Sequence, residues 1–345
     1  MKRRSYLPFL ILAYAVLALA PWWWLDSSQS SASITETPFT ESTPSGAAGK
    51  EPIQPIPQHV ELNKDKVTLG ERLFYDYRFS PDGSMACATC HILKKGGTDN
   101  QSHSRRVDGK LTTTNALTIF NSSLNFRLHW NGEFARFEDQ IDRVLSVTLK
   151  TTWQDIIHKL KQDPDYVSEF SRTYRDGMQI STIKDAIETY ERSLITPNSR
   201  FDRYLRGDQQ AITEQEKRGY YLFKSYGCVA CHQGVNVGGN MFQKFGVMNG
   251  YFADRGNITQ ADLGRFNITH QEEDRYRFRV ASLRNVALTA PYFHDGSAQT
   301  LEDAIKIMAR YQLGRPIPQQ DIEYIIAFLK TLTGQYKGKS LSDYE

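Results

Sequence analysis

Apolar residues recur along most of this chain at steps of three and four, the spacing that gives a helix one buried face. Strict alternation of the kind that makes a half-buried strand is scarce. Ile183, Ile187, Tyr190 and Leu194 form one stripe, with Thr182 and Asp185 as the expected capping box at its start. Thr213 and Glu216 predict a second helix start, and that helix runs through Tyr220 to Phe223 and delivers the chain to Cys228. Leu301 to Tyr311 has Thr300 and Asp303 in capping positions. Ile322, Ile325, Ile326, Leu329 and Leu332 predict a last helix that stops at Gly334, and Leu69, Leu73 and Phe74 mark a helix ahead of Cys87. The stripes read as core packing, and the fold class they predict is all-α.

The ends of the chain break this pattern. Lys2, Arg3 and Arg4 precede an apolar run from Tyr6 to Leu25, the pattern of an export signal or a membrane anchor at residues 1–25. The small-x-small candidate Ala18-Leu19-Ala20 is followed by Pro21, and Trp22, Trp23 and Trp24 suit a membrane–water interface, so an uncleaved anchor is favoured over a cleaved signal. Residues 26–57 are rich in Ser, Thr, Pro and Gly and read as a disordered linker. With 42 basic against 39 acidic residues in 345, the net charge of +3 gives no basic surface that would call for nucleic acid. The remaining residues suffice for two domains, 58–206 and 207–345, with a boundary at the polar cluster Arg206-Gly207-Asp208.

All four cysteines fall in two copies of Cys-x-x-Cys-His, Cys87 to His91 and Cys228 to His232. Each copy is the attachment signature of a c-type haem, two sulfurs for the vinyl groups and the histidine for the iron. A four-thiolate zinc site would want the pairs about 15–20 residues apart, and it has no use for a histidine after each pair. A redox dithiol needs only one copy, and two such short disulfide loops are poor geometry. Two covalent haems are expected, in cytochrome c-like domains outside the cytoplasm, where such attachment occurs. The second axial position of each iron then decides between electron transfer and reaction with an oxidant. Met308 on the capped segment would give a His/Met haem of raised potential, although spacing alone makes it a core methionine.

At this point the chain resembles the bacterial di-haem cytochrome c peroxidases and their MauG-like relatives, over about residues 66–334. The resemblance rests on Phe74-Tyr75-Asp76-Tyr77-Arg78-Phe79-Ser80, Gly96-Gly97-Thr98-Asp99-Asn100, Trp130-Asn131-Gly132, Phe201-Asp202-Arg203-Tyr204-Leu205 and the string from Leu283 to Gly296 that ends Pro-Tyr-Phe-His-Asp-Gly. It implies that the first haem reduces hydrogen peroxide, with electrons entering at the second from a small protein such as a cytochrome c or cupredoxin, and it allows a homodimer. Carried over residue by residue, the methionine ligand of the second haem is Met308, the tryptophan between the haems is Trp130, and the active-site glutamine is Gln140. A calcium ion between the domains would be held by Asn115, Thr289 and Pro291, an oxygen-only set that suits Ca²⁺.

Two family residues are missing. Val107 stands where the peroxidases have a histidine that caps the resting first haem, and valine cannot ligate iron; His103 is near, in a Ser- and Arg-rich stretch that reads as surface. The catalytic glutamate, ten residues beyond the glutamine, falls on Lys150, with no acid from Ser146 to Trp153. Losing the cap favours open coordination and peroxide access. Losing the carboxylate removes a proton carrier, a type of group that contributes about 10²–10⁴-fold, unless Glu138 or Asp139 replaces it. The leading expectation is a periplasmic peroxidase tethered by its N-terminal helix. The alternatives are a MauG-like oxidase of a partner protein, disfavoured because that branch has a tyrosine where this chain has Met308, and a non-catalytic di-haem carrier or sensor.

Overall fold

The computed structural model describes residues 51–344, so the expected anchor and most of the expected linker lie outside the described residues. The described part is helix-rich and is organised around two matched helix pairs. In the first, Lys64–Phe74 packs on Ile180–Ser193; in the second, Glu214–Ser225 packs on Gln319–Lys330. Each pair crosses at a glycine. A Cβ on Gly70 would lie 1.9 Å from the Ala186 carbonyl oxygen, and one on Gly219 would lie 1.9 Å from that of Tyr324. Only glycine lets the backbones approach so closely. The first helix of each pair leads into a Cys-x-x-Cys-His segment, which makes the two halves a structural repeat that the surrounding residues hardly show.

Most helix starts form as read. Thr213 and Glu216 exchange reciprocal backbone–side-chain bonds at 2.8 and 3.3 Å, and Thr300 and Asp303 do the same at 3.0 and 3.2 Å. The start expected at Thr182 and Asp185 is corrected. That helix begins at Ile180, and Thr182 Oγ1 accepts from Gln179 N at 2.9 Å. Asp185 is one turn inside, where Lys66 Nζ and the Tyr174 hydroxyl each reach it at 2.7 Å, a tertiary demand that local spacing cannot reveal. The last helix ends at Lys330, short of Gly334. The all-α expectation needs a small addition, because two antiparallel ribbons are present: Phe242–Lys244 against Arg277–Arg279, and Gln335–Tyr336 against Lys339–Ser340. Strands of two or three residues are too short to register as alternation.

The expected linker is also corrected at its end. Ile53 and Ile56 are 1% and 0% exposed, and the chain from Glu51 is already packed. Ile53 bridges to Gly234, and the Arg206 guanidinium donates to the Ile56 carbonyl at 2.5 Å. Three nearby prolines hid two core isoleucines. Ile53 joins the apolar cluster of Phe201, Phe223 and Phe328, whereas Tyr336 and Leu341, late in the chain, join Phe74, Phe120 and Tyr190. Each terminal segment therefore packs into the half that the rest of the chain would assign to the other. A buried polar seam adds to this. Arg284 and Asp202 pair at 2.8 Å with 1% and 0% of their side chains exposed, and Asn121 and Asn285 both donate to the Thr196 hydroxyl, whose backbone N–H donates to Asn121 in return. Paired in this way, a buried charge does not incur its full desolvation cost.

Candidate active site

The first Cys-x-x-Cys-His segment forms one helical turn, Cys87–Cys90, after which His91 turns its ring inward. His91 Nδ1 lies 3.2 Å from the Gly97 carbonyl oxygen, which fixes the ring and leaves Nε2 free. Burial lowers the pKa of His91, with the Gly97 carbonyl opposing, so the imidazole is held neutral. Burial pushes the Cys87 thiol up to about 12 and Cys90 up to about 11. Neither pairs in a disulfide, and Cys87 and Cys90 sit with different apolar clusters from Cys228, so no four-thiolate site forms.

These residues open onto a cavity of about 600 Å³. Its walls include Met85, Leu128, Ile141, Leu145 and Leu149, with the polar groups Asn115, His129, Trp130, Glu133, Gln140, Arg143, Glu191 and Arg279 set among them. Gln140 lies on the helix Phe137–Val144 and presents a buried Oε1 with no hydrogen-bond partner. That helix continues as a π turn, Leu145–Leu149, whose side chains fill the wall where a family glutamate would be expected. Lys150 caps this turn in the left-handed region and is exposed, outside the lining. Val107 is tied by its N–H to Thr148 O at 3.2 Å and packs in the core beside the wall, while Ser104 and Arg106 reach the lining. His103 keeps a buried, unpartnered Nδ1 outside it.

Neither Glu138 nor Asp139 enters the cavity. Glu138 pairs with Arg136, and Asp139 is exposed. The carboxylates in the lining are Glu133 and Glu191, which sequence reasoning missed. Burial and the nearby Glu188 push Glu191 up to about 8. His129 was missed as well. It shares the cavity with His91, and burial lowers its pKa to about 4, assisted by Arg143, Arg279 and His91. The signal available was adjacency: His129 immediately precedes the family's tryptophan.

The second segment, Cys228 to His232, follows the helix Glu214–Ser225 and packs against the cluster of Phe223, Phe328 and Leu332. Burial lowers the His232 pKa to about 4, with the nearby carbonyls of Val237 and Ala281 opposing. Met308 lies on Leu301–Tyr311 among Phe245, Tyr251, Phe293 and Ile307. Trp130 packs against this same group while also lining the His91 cavity, with Nε1 2.9 Å from the Asn115 carbonyl oxygen that it donates to. It therefore touches both halves. The proposed calcium residues converge in part: Asn115 Nδ2 is 3.5 Å from Pro291 O and 2.7 Å from Gln101 O, and Asn100 bonds the carbonyls of Leu288 and Ala290 on either side of Thr289. Turning the Asn115 amide over would present its oxygen to a cation instead.

Residues 64–210 match the family profile of di-haem cytochrome c peroxidase. The cytochrome c551 peroxidase of Nitrosomonas europaea is 40% identical over 83% of this chain and 85% of its own, and the cytochrome c peroxidase Ccp of Escherichia coli is 44% identical over 83% of this chain and 62% of its own. The chain belongs to the di-haem cytochrome c peroxidase family. Among solved structures, a MauG-like protein associated with microbial copper homeostasis superposes with a TM-score of 0.72 at 29% identity, over 83% of this chain and 94% of that one.

Family membership implies two c-type haems, and the residues present fit them. Each motif offers two unpaired thiols and a neutral imidazole, and the first faces a cavity of suitable chemistry. Arg279 supplies a further sign. It is 3% exposed, bonds only neutral acceptors (His129 O and Asn125 Oδ1 at 3.1 Å and Val280 O at 3.5 Å), and burial pulls its pKa down to about 10. A buried guanidinium without a carboxylate awaits an anion, as a haem propionate would provide. Elsewhere the charges are matched internally. Asp262 and Asp295 share Arg255, and Asp262 also accepts from His294 Nε2 at 2.7 Å. Although that trio clusters closely enough for a metal, the guanidinium already provides its positive charge.

Proposed function

We propose that this protein is a di-haem cytochrome c peroxidase that reduces hydrogen peroxide at the haem held by Cys87, Cys90 and His91, with electrons entering at a haem held by Cys228, Cys231, His232 and Met308. The observation that carries this reading is the largely apolar cavity beside His91, with polar groups set into it and the unpartnered Gln140 amide in its wall. A haem bound there supplies an iron that takes peroxide and passes single electrons. The protein's own groups do the rest. Gln140 orients the bound oxygen, Met85, Ile141 and Leu149 exclude bulk water, and Trp130 gives packed continuity between the halves.

The two cytochrome c-like domains, 58–206 and 207–345, are read as held together by the buried seam and by Ca²⁺ at Asn115, Thr289 and Pro291. The donor would be a small protein such as a cytochrome c or cupredoxin, and the location periplasmic, tethered by residues 1–25. Oxidation of a partner protein in the MauG manner is disfavoured by Met308. Stopped-flow mixing of the reduced, haem-loaded protein with hydrogen peroxide tests the assignment. Oxidation far faster than that of free haem is expected, and a rate equal to that of free haem would refute it.

A further inference from the structure

The missing glutamate leaves a gap in the reading just given, and His129 fills it. This residue lines the same cavity as His91, immediately before Trp130. Its backbone is in the left-handed region at φ 66°, unusual for a histidine and held there by the bridge between Leu128 and Phe134 and by Arg279, which donates to its carbonyl. The ring is wedged edge-on to Phe134, centroids 4.9 Å apart. Nδ1 faces Glu133 Oε2 at 3.9 Å, and Glu133 is in turn 3.9 Å from Arg143 Nε on the helix that carries Gln140. Nε2 has no partner among the described residues, so a base, its orienting carboxylate and a stabilising cation stand in sequence around one cavity. We propose that His129, positioned by Glu133, carries the proton during peroxide cleavage, in the role vacated at Lys150.

The step balances. His129 Nε2 takes the proton of the peroxide oxygen bound at the haem and returns it to the other oxygen. The O–O bond breaks with its electron pair going to that leaving oxygen, which departs as water. The retained oxygen becomes the second water after accepting two electrons from the donor protein and two protons from solvent. A neutral imidazole is needed at the start, and the positive charges of Arg143 on the helix and Arg279 on the ribbon favour that form. Glu133 acts the other way and favours the imidazolium formed midway.

Cyanide tests this without turnover, since hydrogen cyanide must surrender a proton to bind ferric haem as the anion. In the full-length, haem-loaded, oxidised protein, H129F and H129Q should slow cyanide association at pH 7 by about 10²-fold or more, with haem content and the spectrum of the second haem unchanged. E133Q should slow it about tenfold and move the acid limb of the pH profile to lower pH, because removing the carboxylate makes imidazolium harder to form. Equal rates in wild type and both His129 variants would overturn the proposal. So would conversion of the first haem from low to high spin by H129F, which would make His129 an iron ligand. The inference rests on the peroxidase reading, but the two fail separately: a wild type inert to peroxide sinks that reading, whereas a reactive wild type matched by H129F sinks this one.

Discussion

The surroundings of His91 and of His232 begin from the same five-residue pattern and end in different chemistry. Around His91 an apolar shell is interrupted by His129, Glu133, Gln140, Arg143, Glu191 and Arg279, with the Gln140 amide oxygen unpartnered and Arg279 buried. Around His232 and Met308 the surroundings are the aromatic clusters of Phe223 and Phe328 on one side and of Phe245, Tyr251 and Phe293 on the other. The motif fixes the cofactor, and the wall decides its use. An apolar wall around a His/Met haem suits electron storage, while donors and a base around an open haem suit bond breaking.

The largest effect is expected where the halves depend on one another. Asp202→Asn leaves Arg284 buried beside a neutral amide and should cost about 3–5 kcal/mol in urea unfolding. If the seam unites the halves, both haem environments lose their spectra in one transition; separate midpoints would break that unity. Gly70→Ala and Gly219→Ala should each cost about 1–3 kcal/mol by forcing a helix crossing apart, and near-equal losses would sharpen the structural repeat. Met308→Leu should separate the halves instead. It should lower the potential of one haem by about 59 mV or more, a tenfold shift towards the oxidised form, and leave the other within error. Arg279→Met, removing a cation beside the first cavity, should lower that haem's potential by about 30 mV, roughly a threefold shift.

Acid should act on both halves alike, with the least effect near neutrality. Despite burial, hydrogen bonds from Arg78 and Tyr166 hold Asp76 below its usual value, those from His294, Arg255 and Thr259 hold Asp262 well below, and those from Arg200 and Thr213 hold Glu216 below. A carboxylate with a depressed folded-state pKa stabilises above its unfolded value and loses that contribution as pH falls through the folded one. The contribution of these three carboxylates to thermal stability should thus be constant from pH 7 to about 5 and be lost below pH 4, the ordinary values being 3.8 and 4.5.

How much of this was legible in the sequence depends on whether a residue acts locally. The haem motifs and two of the three capping boxes are local signals and could be read directly, whereas Met308 stood out only through the family resemblance, spacing alone making it a core methionine. The family strings were legible as strings but opaque as chemistry. Asp202, Arg284 and Asn285, which carry much of the resemblance, serve the buried seam rather than the cavity. Lys150 and Val107 stand out as departures from the family pattern, and the acids nearest to them in sequence do not line the cavity: Glu138 and Asp139 stay outside it, whereas Glu133 and His129 enter from the preceding loop. Ile53 and Ile56 were masked by prolines, and Arg279 declared itself only once burial had removed every carboxylate from its reach.

The inequality of the two haem sites is tested most directly by the electron paramagnetic resonance spectrum of the fully oxidised, haem-loaded protein. One high-spin ferric signal from the His91 haem together with one low-spin signal from the His232/Met308 haem is the predicted result, and two low-spin signals would contradict it.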